Sequence, residues 1–142
     1  MSTATVAWWD RELDPAPEWM SWEEVEALAR MGFEMGAHTQ SHVDLGEVAG
    51  EVARGEIVGS KADLESRIET DITLFAYPYG RLENMSEANR DEVRAAGFRS
   101  CASCFGGLVR PGDDPFRLNR VAVSGWFASP SQLAFEVGLN RV

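Results

Sequence analysis

The two histidines of the chain, His38 and His42, lie four residues apart in the stretch GAHTQSH. At this spacing both side chains project to the same side of the backbone in a helical or an extended segment, so both imidazoles can bind one ion. Imidazole is a ligand for zinc, cobalt, nickel and iron, and a catalytic zinc ion usually has three protein ligands. The pair therefore predicts a metal site whose third ligand comes from elsewhere.

Other interpretations of this stretch stay open. A spacing match is only a hypothesis, and a pair of surface or hydrogen-bonded histidines without a metal is the alternative. Asp44 is a candidate third ligand, but it lies on the same loop, and we expect it instead to cap a helix that begins near Leu45 to Glu47. We expect the hydroxyls of Thr39 and Ser41 to shape the loop by bonding nearby backbone.

A second stretch, AYPYG at residues 76–80, has the composition of a tight turn. Pro78, Tyr79 and Gly80 restrict the backbone and allow close approach, which suits a main-chain N–H that faces a developing oxyanion. The alternative is a turn that simply ends a strand.

The elements that must position these loops alternate along the chain. A capping box at Ser21 and Glu24 predicts a helix that Gly32 ends, and a long helical pattern runs from about Glu47 to Glu69. Apolar residues near helical spacing support this pattern, namely Val48, Val52, Val58, Ala62, Leu64 and Ile68, and Gly50, Gly55 and Gly59 weaken it locally. Two more helices are expected, one capped by Ser86 and ended by Gly97, and one begun by Ser129 and Pro130.

Short apolar runs between these helices predict four strands. They are FEMGA (33–37), ITLFAY (72–77), FRSCASC (98–104) and RVAV (120–123). Helices that alternate with short apolar strands are typical of a parallel α/β structure. Both unusual loops follow strands directly, and the carboxyl ends of parallel strands are where such folds carry their sites.

Composition narrows the classes of partner. The 142 residues suit one domain, and 23 acidic against 13 basic residues give a formal charge of −10, which disfavours nucleic acid and anionic membrane surfaces. The sequence has no basic segment followed by an apolar run at its start and no apolar stretch of membrane-spanning length, so we expect a cytoplasmic protein.

The two cysteines, Cys101 and Cys104, form the motif CASC within an expected strand. Side chains three apart on a strand point to opposite faces, and no second such motif is present to complete a zinc site. We therefore interpret both as buried structural thiols.

Together, GAHTQSH and FAYPYG resemble the polysaccharide deacetylase family, metal-dependent esterases that remove acetyl groups from N- or O-acetylated glycans. The first loop fits the family's metal motif at every position. In that motif two histidines enclose three residues, of which the first and third are serine or threonine and the second is variable. The second is similar to a five-residue family motif: arginine, a variable residue, proline, an aromatic residue (tyrosine or phenylalanine) and glycine. Ala76 stands in the place of the arginine. The resemblance runs from about Met20 to Val123.

The resemblance implies a distorted (β/α) barrel with a divalent metal, usually zinc, bound by two histidines and an aspartate. It makes His38 and His42 ligands and gives the Tyr79 amide a catalytic role at the oxyanion. Pro78 and Tyr79 are then expected at the acetylated glycan substrate, and Trp126 is a candidate for stacking on a sugar ring. In the family a second aspartate is the general base and a late histidine protonates the leaving group.

The sequence departs from the family in three places. The opening TFDDG motif is absent, and Asp10 lacks the preceding apolar strand and the glycine-bearing turn of that motif. His42 is the last histidine, so the late histidine of the family is missing, and Ala76 replaces the arginine. We therefore expect a partial barrel without its first strands and a hydrolase that is weak or inactive as this chain alone. The alternative is a non-catalytic relative that binds glycan or metal. Open sheet edges also predict self-association or a partner chain.

Overall fold

A computed structural model of the chain describes residues 20–120 and 129–139. Its four strands form one parallel sheet in chain order: β1 (Gly36–Ala37), β2 (Leu74–Ala76), β3 (Ser100–Gly106) and β4 (Leu118–Arg120). The α-helices are α1 (Trp22–Arg30), α2 (Gly50–Ile68), α3 (Glu87–Ala95) and α4 (Pro130–Leu139). Consecutive parallel strands joined by helices are the repeating unit of a (β/α) barrel. The predicted α/β fold is confirmed.

The helix ends follow the local sequence. Ser21 and Glu24 form the expected capping box, with the Glu24 amide donating to Ser21 Oγ at 3.3 Å and the Ser21 amide donating to Glu24 Oε2 at 2.7 Å. Ser86 caps α3 by accepting from the Asn89 amide at 3.2 Å, and Ser129 precedes Pro130 at the start of α4. These signals depend only on neighbours in the chain, which is why the sequence predicts them.

The long helix α2 begins at Gly50, three residues later than expected. The buried residues are Ala53, Ile57 and Ser60, whereas Val52 and Val58 are 49% and 44% exposed. Both valines fit the helical spacing, but they do not lie on the buried face. The apolar spacing predicts a helix, whereas packing against the rest of the fold decides which of its faces is buried.

The core lies between the sheet and the helices that cover it. Its aromatic centre is on the β2 side, where the Phe75 ring lies 5.2 Å from those of both Tyr77 and Phe98. The remaining buried apolar residues are Ala37, Leu45, Ala53, Ile57, Ile72, Met85, Val93 and Cys101. This packing fixes β2, and with it the turn that follows, in the middle of the sheet.

Two further expectations are corrected, and a third is tested only in part. The strand predicted at FEMGA is only Gly36–Ala37, and Phe33 is 58% exposed. The fourth strand already begins at Leu118 and includes Arg120, and residues 121–123 of the predicted RVAV strand lie outside the described part. Cys101 and Cys104 face opposite sides as predicted, but only Cys101 is buried.

No helix among residues 20–120 and 129–139 is long and apolar enough to cross a bilayer. The assignment of the whole chain to one domain stays a prediction.

Candidate metal centre

The two unusual loops meet at the carboxyl edge of the sheet. His38 follows the last residue of β1, and residues 77–80 follow β2, whose register with β1 pairs Ala37 with Phe75. The ring centroids of His38 and His42 are 4.8 Å apart at an interplanar angle of 75°. The Tyr79 ring lies 5.1 Å from that of His42. The structure thus brings together the two predicted ligands and the predicted oxyanion residue.

A main-chain carbonyl orients the first histidine. His38 Nδ1 lies 2.7 Å from the carbonyl oxygen of Ala76, the last residue of β2. Because that oxygen only accepts, Nδ1 carries the proton and Nε2 keeps its lone pair. Metal-binding histidines are usually oriented by such a bond from the other ring nitrogen. Ala76, where the family motif has arginine, contributes through its backbone.

The histidine pair fits a metal ion, but its environment supplies only part of a ligand set. Two imidazoles on one tetrahedral zinc ion have ring centroids about 5 Å apart, close to the separation here. Among the residues that the structure describes, no group of three histidine, cysteine or acidic side chains can hold an ion. A third ligand would therefore come from outside those residues.

Asp44 is engaged elsewhere. Its Oδ1 accepts from the Gly46 amide at 2.8 Å and from the side-chain amide of the buried Asn84. No α-helix begins at residues 45–47, so the expected helix-capping role is wrong. Asp44 instead joins the loop after β1 to the segment that follows the YPYG turn.

Backbone strain is concentrated in the two loops. Among the described residues four that are not glycine have positive φ, and three of them are Thr39 at 62°, His42 at 58° and Tyr79 at 59°. Such conformations cost on the order of 1–3 kcal/mol each and persist only where neighbouring structure enforces them. One enforcing contact is local, since the His42 amide donates to Thr39 Oγ1 at 3.0 Å.

Another set of contacts comes from α2. The amides of Gln40 and Ser41 donate to Glu56 Oε2 at 2.8 and 2.9 Å, and the Ser41 hydroxyl donates to Glu56 Oε1. The Gln40 side-chain amide donates to Asp63 Oδ2 at 2.7 Å. The middle of the loop, between the two histidines, is thereby bonded to the helix.

The YPYG turn is fixed against β3. Pro78 is fully buried, and the Cys104 amide donates to the Gly80 carbonyl at 3.0 Å. Gly80 has a φ of +59°, and a Cβ there would lie 2.4 Å from the Cys104 nitrogen. Only glycine fits this approach, so the turn needs the residue that the motif places there.

The environment favours neutral imidazoles. Loss of surrounding water is the main reason that the pKa of His38 is lowered. The hydrogen bond to the Ala76 carbonyl acts in the opposite direction, whereas the charges of His42 and Arg120 lower the pKa further. Desolvation also lowers the pKa of His42. Neutral rings suit metal binding, because a proton and a metal ion compete for the same nitrogen.

Sequence reasoning missed two residues near this site. Arg120, at the end of β4, donates through Nε to the Ser103 carbonyl and lies 3.3 Å from Cys104 Sγ. Glu56 had a detectable signal, since it shares a helix face with Gly59 and Asp63. Arg120 had none, because its approach to the site depends on the tertiary fold. Trp126 and Asp10 lie outside the described residues.

Comparison with known families gives one match. A family model described as polysaccharide deacetylase matches residues 3–101. A search of curated proteins found no significant match.

Solved structures share the fold. A Streptococcus pyogenes deacetylase, PplD, in complex with acetate superposes with a TM-score of 0.73 at 19% identity, covering 83% of this chain and 50% of that one. IcaB from Ammonifex degensii superposes with a TM-score of 0.68 at 22% identity, covering 84% of this chain and 54% of that one. A polysaccharide deacetylase from Bacillus cereus superposes with a TM-score of 0.70 at 20% identity, covering 83% of this chain and 36% of that one. The chain thus spans about half or less of the length of these structures.

Proposed function

The chain belongs to the polysaccharide deacetylase family of hydrolases, and from that premise we propose that it acts on an acetylated glycan through a divalent metal ion bound by His38 and His42. Zinc is the ion we propose, because two imidazoles in tetrahedral geometry suit it. The reaction adds water to the acetyl carbonyl and breaks its bond to nitrogen or oxygen, giving acetate and a free amine or hydroxyl on the sugar.

One observation carries this proposal. The two histidine rings lie 4.8 Å apart at the carboxyl edge of a parallel sheet, and the Nδ1 proton of His38 is held by the Ala76 carbonyl. That hydrogen bond leaves Nε2 as the ligand atom and fixes the ring plane.

The residues divide the work as follows. A bound divalent ion would supply Lewis-acid polarisation of the acetyl carbonyl. The Tyr79 amide, held by a turn with positive φ, would donate to the oxygen that becomes negative, and the buried Pro78 keeps that turn in place. Trp126 would stack on a sugar ring. Without a positioned general base the rate would be lower by roughly 10²–10⁴.

A second candidate is a non-catalytic module that binds glycan or metal. It is favoured by one observation, that the described residues contain no third acidic or sulfur ligand beside His38 and His42. Such a module would bind the ion more loosely and would not release acetate.

We further propose that a second copy or a partner chain covers the sheet edge at β1. Among the described strands β1 pairs only with β2, and β4 only with β3. Unpaired strand edges present rows of donors and acceptors that favour pairing with another chain. Light scattering on the purified protein would measure the assembly, and a monomer at all concentrations would contradict this proposal.

Bound metal and acetate release, measured on the same preparation, test the proposed function. The protein is loaded with zinc, freed of excess, and assayed with chitooligosaccharides and acetylated xylan. We expect metal-dependent acetate release that His38→Ala abolishes and that Glu47→Ala, which removes an exposed carboxylate nearby, leaves intact. Glycan binding without turnover would support the module instead, and neither metal nor glycan binding would contradict both.

A further inference from the structure

The helix α2 presents one polar face to the loop that carries the histidines. Glu56, Gly59 and Asp63 are separated by three and four residues, so they lie on the same side of the helix. Each contacts the loop at Gln40 or Ser41. We name these three residues the α2 cradle.

Glu56 supplies most of the polar contacts of the cradle. One carboxylate oxygen accepts both the Gln40 and Ser41 amides, and the other accepts the Ser41 hydroxyl. Hydrogen bonds to a charged group are stronger than those between neutral groups. A single side chain therefore holds both residues between His38 and His42 that are not themselves at positive φ.

Gly59 makes room for the rest of the loop. A Cβ at position 59 would lie 2.3 Å from Oε1 of Gln40, whose amide nitrogen bonds Asp63. A glycine inside a helix is less favourable than alanine. Here the missing side chain has a local use, because it lets Gln40 lie against the helix.

The loop needs such support because it is strained. Thr39, a β-branched residue, and His42 both have positive φ, a conformation that persists only where neighbouring contacts enforce it. From this we infer that Glu56 is a positioning residue that holds His38 and His42 at the separation needed to bind one ion. The inference rests on the proposed metal-binding function.

Glu56 lies outside the apolar core, which makes its role separable from folding. Its side chain is half-buried and contacts the loop, whereas the core face of α2 is formed by Ala53 and Ile57. Removing the carboxylate should thus loosen the loop without opening the core.

The first experiment uses Glu56→Ala and Glu56→Gln, with Glu51→Ala as the matched control on the exposed first turn of the same helix. Zinc and cobalt dissociation constants are measured by competition with a chelating dye. We expect Glu56→Ala to weaken binding about tenfold, the lower end of the effect of outer partners of metal ligands. Glu56→Gln should fall between it and the wild type, and Glu51→Ala should match the wild type, with Tm little changed in all three.

The second experiment separates loop position from fold stability. Gly55→Ala and Gly59→Ala both replace a glycine inside α2, but a Cβ at position 55 meets nothing within 4 Å. Both variants should keep or raise the Tm, because alanine favours helix and the end of the Gln40 side chain can move away. Only Gly59→Ala should weaken metal binding, since only it displaces Gln40.

Amide hydrogen exchange in the metal-free protein completes the test. Glu56→Ala should speed exchange at Gln40 and Ser41 while leaving the amides of α2 protected. Unchanged exchange at both positions, or metal affinities equal to the wild type, would overturn the inference. A wild-type protein that binds no metal would refute the proposed function and with it the role of Glu56 as a positioning residue, even if exchange showed that Glu56 holds the loop.

Discussion

His38 Nδ1 lies 2.7 Å from the carbonyl oxygen of Ala76, so the first residue after β1 is bonded to the last residue of β2. The orientation of this imidazole therefore depends on the register of two parallel strands. A side chain tied to a sheet is positioned more precisely than one held by a loop alone. His42 lies four residues further along the loop, where its amide donates to Thr39 Oγ1 at 3.0 Å.

The histidines should make the metal-free protein less stable as the pH falls. The pKa of each is lowered from its ordinary value of 6.5, with desolvation the largest cause. The unfolded chain then takes up protons first, so the free energy of unfolding should decrease as the pH falls from 6.5 through the folded-state pKa values. Urea unfolding at a series of pH values in the presence of a chelator measures this.

The double variant His38→Ala/His42→Ala serves as the reference for that series. It should lose the part of the pH slope that the two rings contribute, while the carboxylate contribution at lower pH remains. An identical slope in variant and wild type between pH 5 and 6.5 would show that the rings titrate as they do in the unfolded chain.

Gly80→Ala should destabilise the fold more than Gly112→Ala, where only backbone strain opposes the substitution. Both Gly80 and Gly112 have positive φ, but only a Cβ at position 80 meets backbone, 2.4 Å from the Cys104 nitrogen. We expect Gly112→Ala to cost about 1–2 kcal/mol from strain. Gly80→Ala should cost about 2–4 kcal/mol, because overpacking adds to the strain. Denaturant unfolding measures both, and equal costs would contradict the close approach.

The sequence predicted the residues of this site whose roles are encoded locally. His38, His42 and Tyr79 were found because their spacing and motifs lie within short segments that follow strands. Arg120 was missed because it reaches the site only through the packing of β4, and Glu56 was missed although it shares a helix face with Gly59 and Asp63. The Ala76 carbonyl could not be found from residue type at all, since any residue presents a main-chain oxygen there.

The helices show the same division between features encoded locally and features that depend on tertiary packing. The ends of α1 and α3 were predicted because Ser21 and Ser86 act on amides three residues away. The apolar spacing of α2 did not reveal its buried face, because Val52 and Val58 fit the helical pattern and yet are exposed. Glycines within α2 looked like weaknesses of the helix, whereas Gly59 accommodates Gln40.

The two cysteines should differ in reactivity. Cys104 is exposed, whereas Cys101 is buried, donates to the Phe116 carbonyl at 3.0 Å and has its pKa raised mainly by desolvation. A thiol reagent such as Ellman's should therefore modify one thiol per chain under native conditions and the second only on unfolding. Cys104→Ser should remove the fast phase, and a fast phase that persists would place Cys101 at the surface.

Asp44 and Asn84 should be energetically coupled, because they join the two loops of the site. The fully buried Asn84 donates to Asp44 Oδ1 and accepts from the Arg81 amide at 2.7 Å. Either single alanine variant leaves a polar partner unsatisfied, so each should cost about 1–3 kcal/mol. In a double-mutant cycle we expect a coupling energy of about 1–2 kcal/mol.

A matched cycle combines Asn84→Ala with Asp71→Ala. Asp71 bonds Lys61 at 2.9 Å ahead of β2, at the opposite end of the strand from the site. These two changes should be additive, because they share no partner. Coupling in the first cycle alone would mean that Asp44 and Asn84 tie the histidine loop to the YPYG turn. Both of its single variants should then weaken zinc binding at His38 and His42, whereas Asp71→Ala should not.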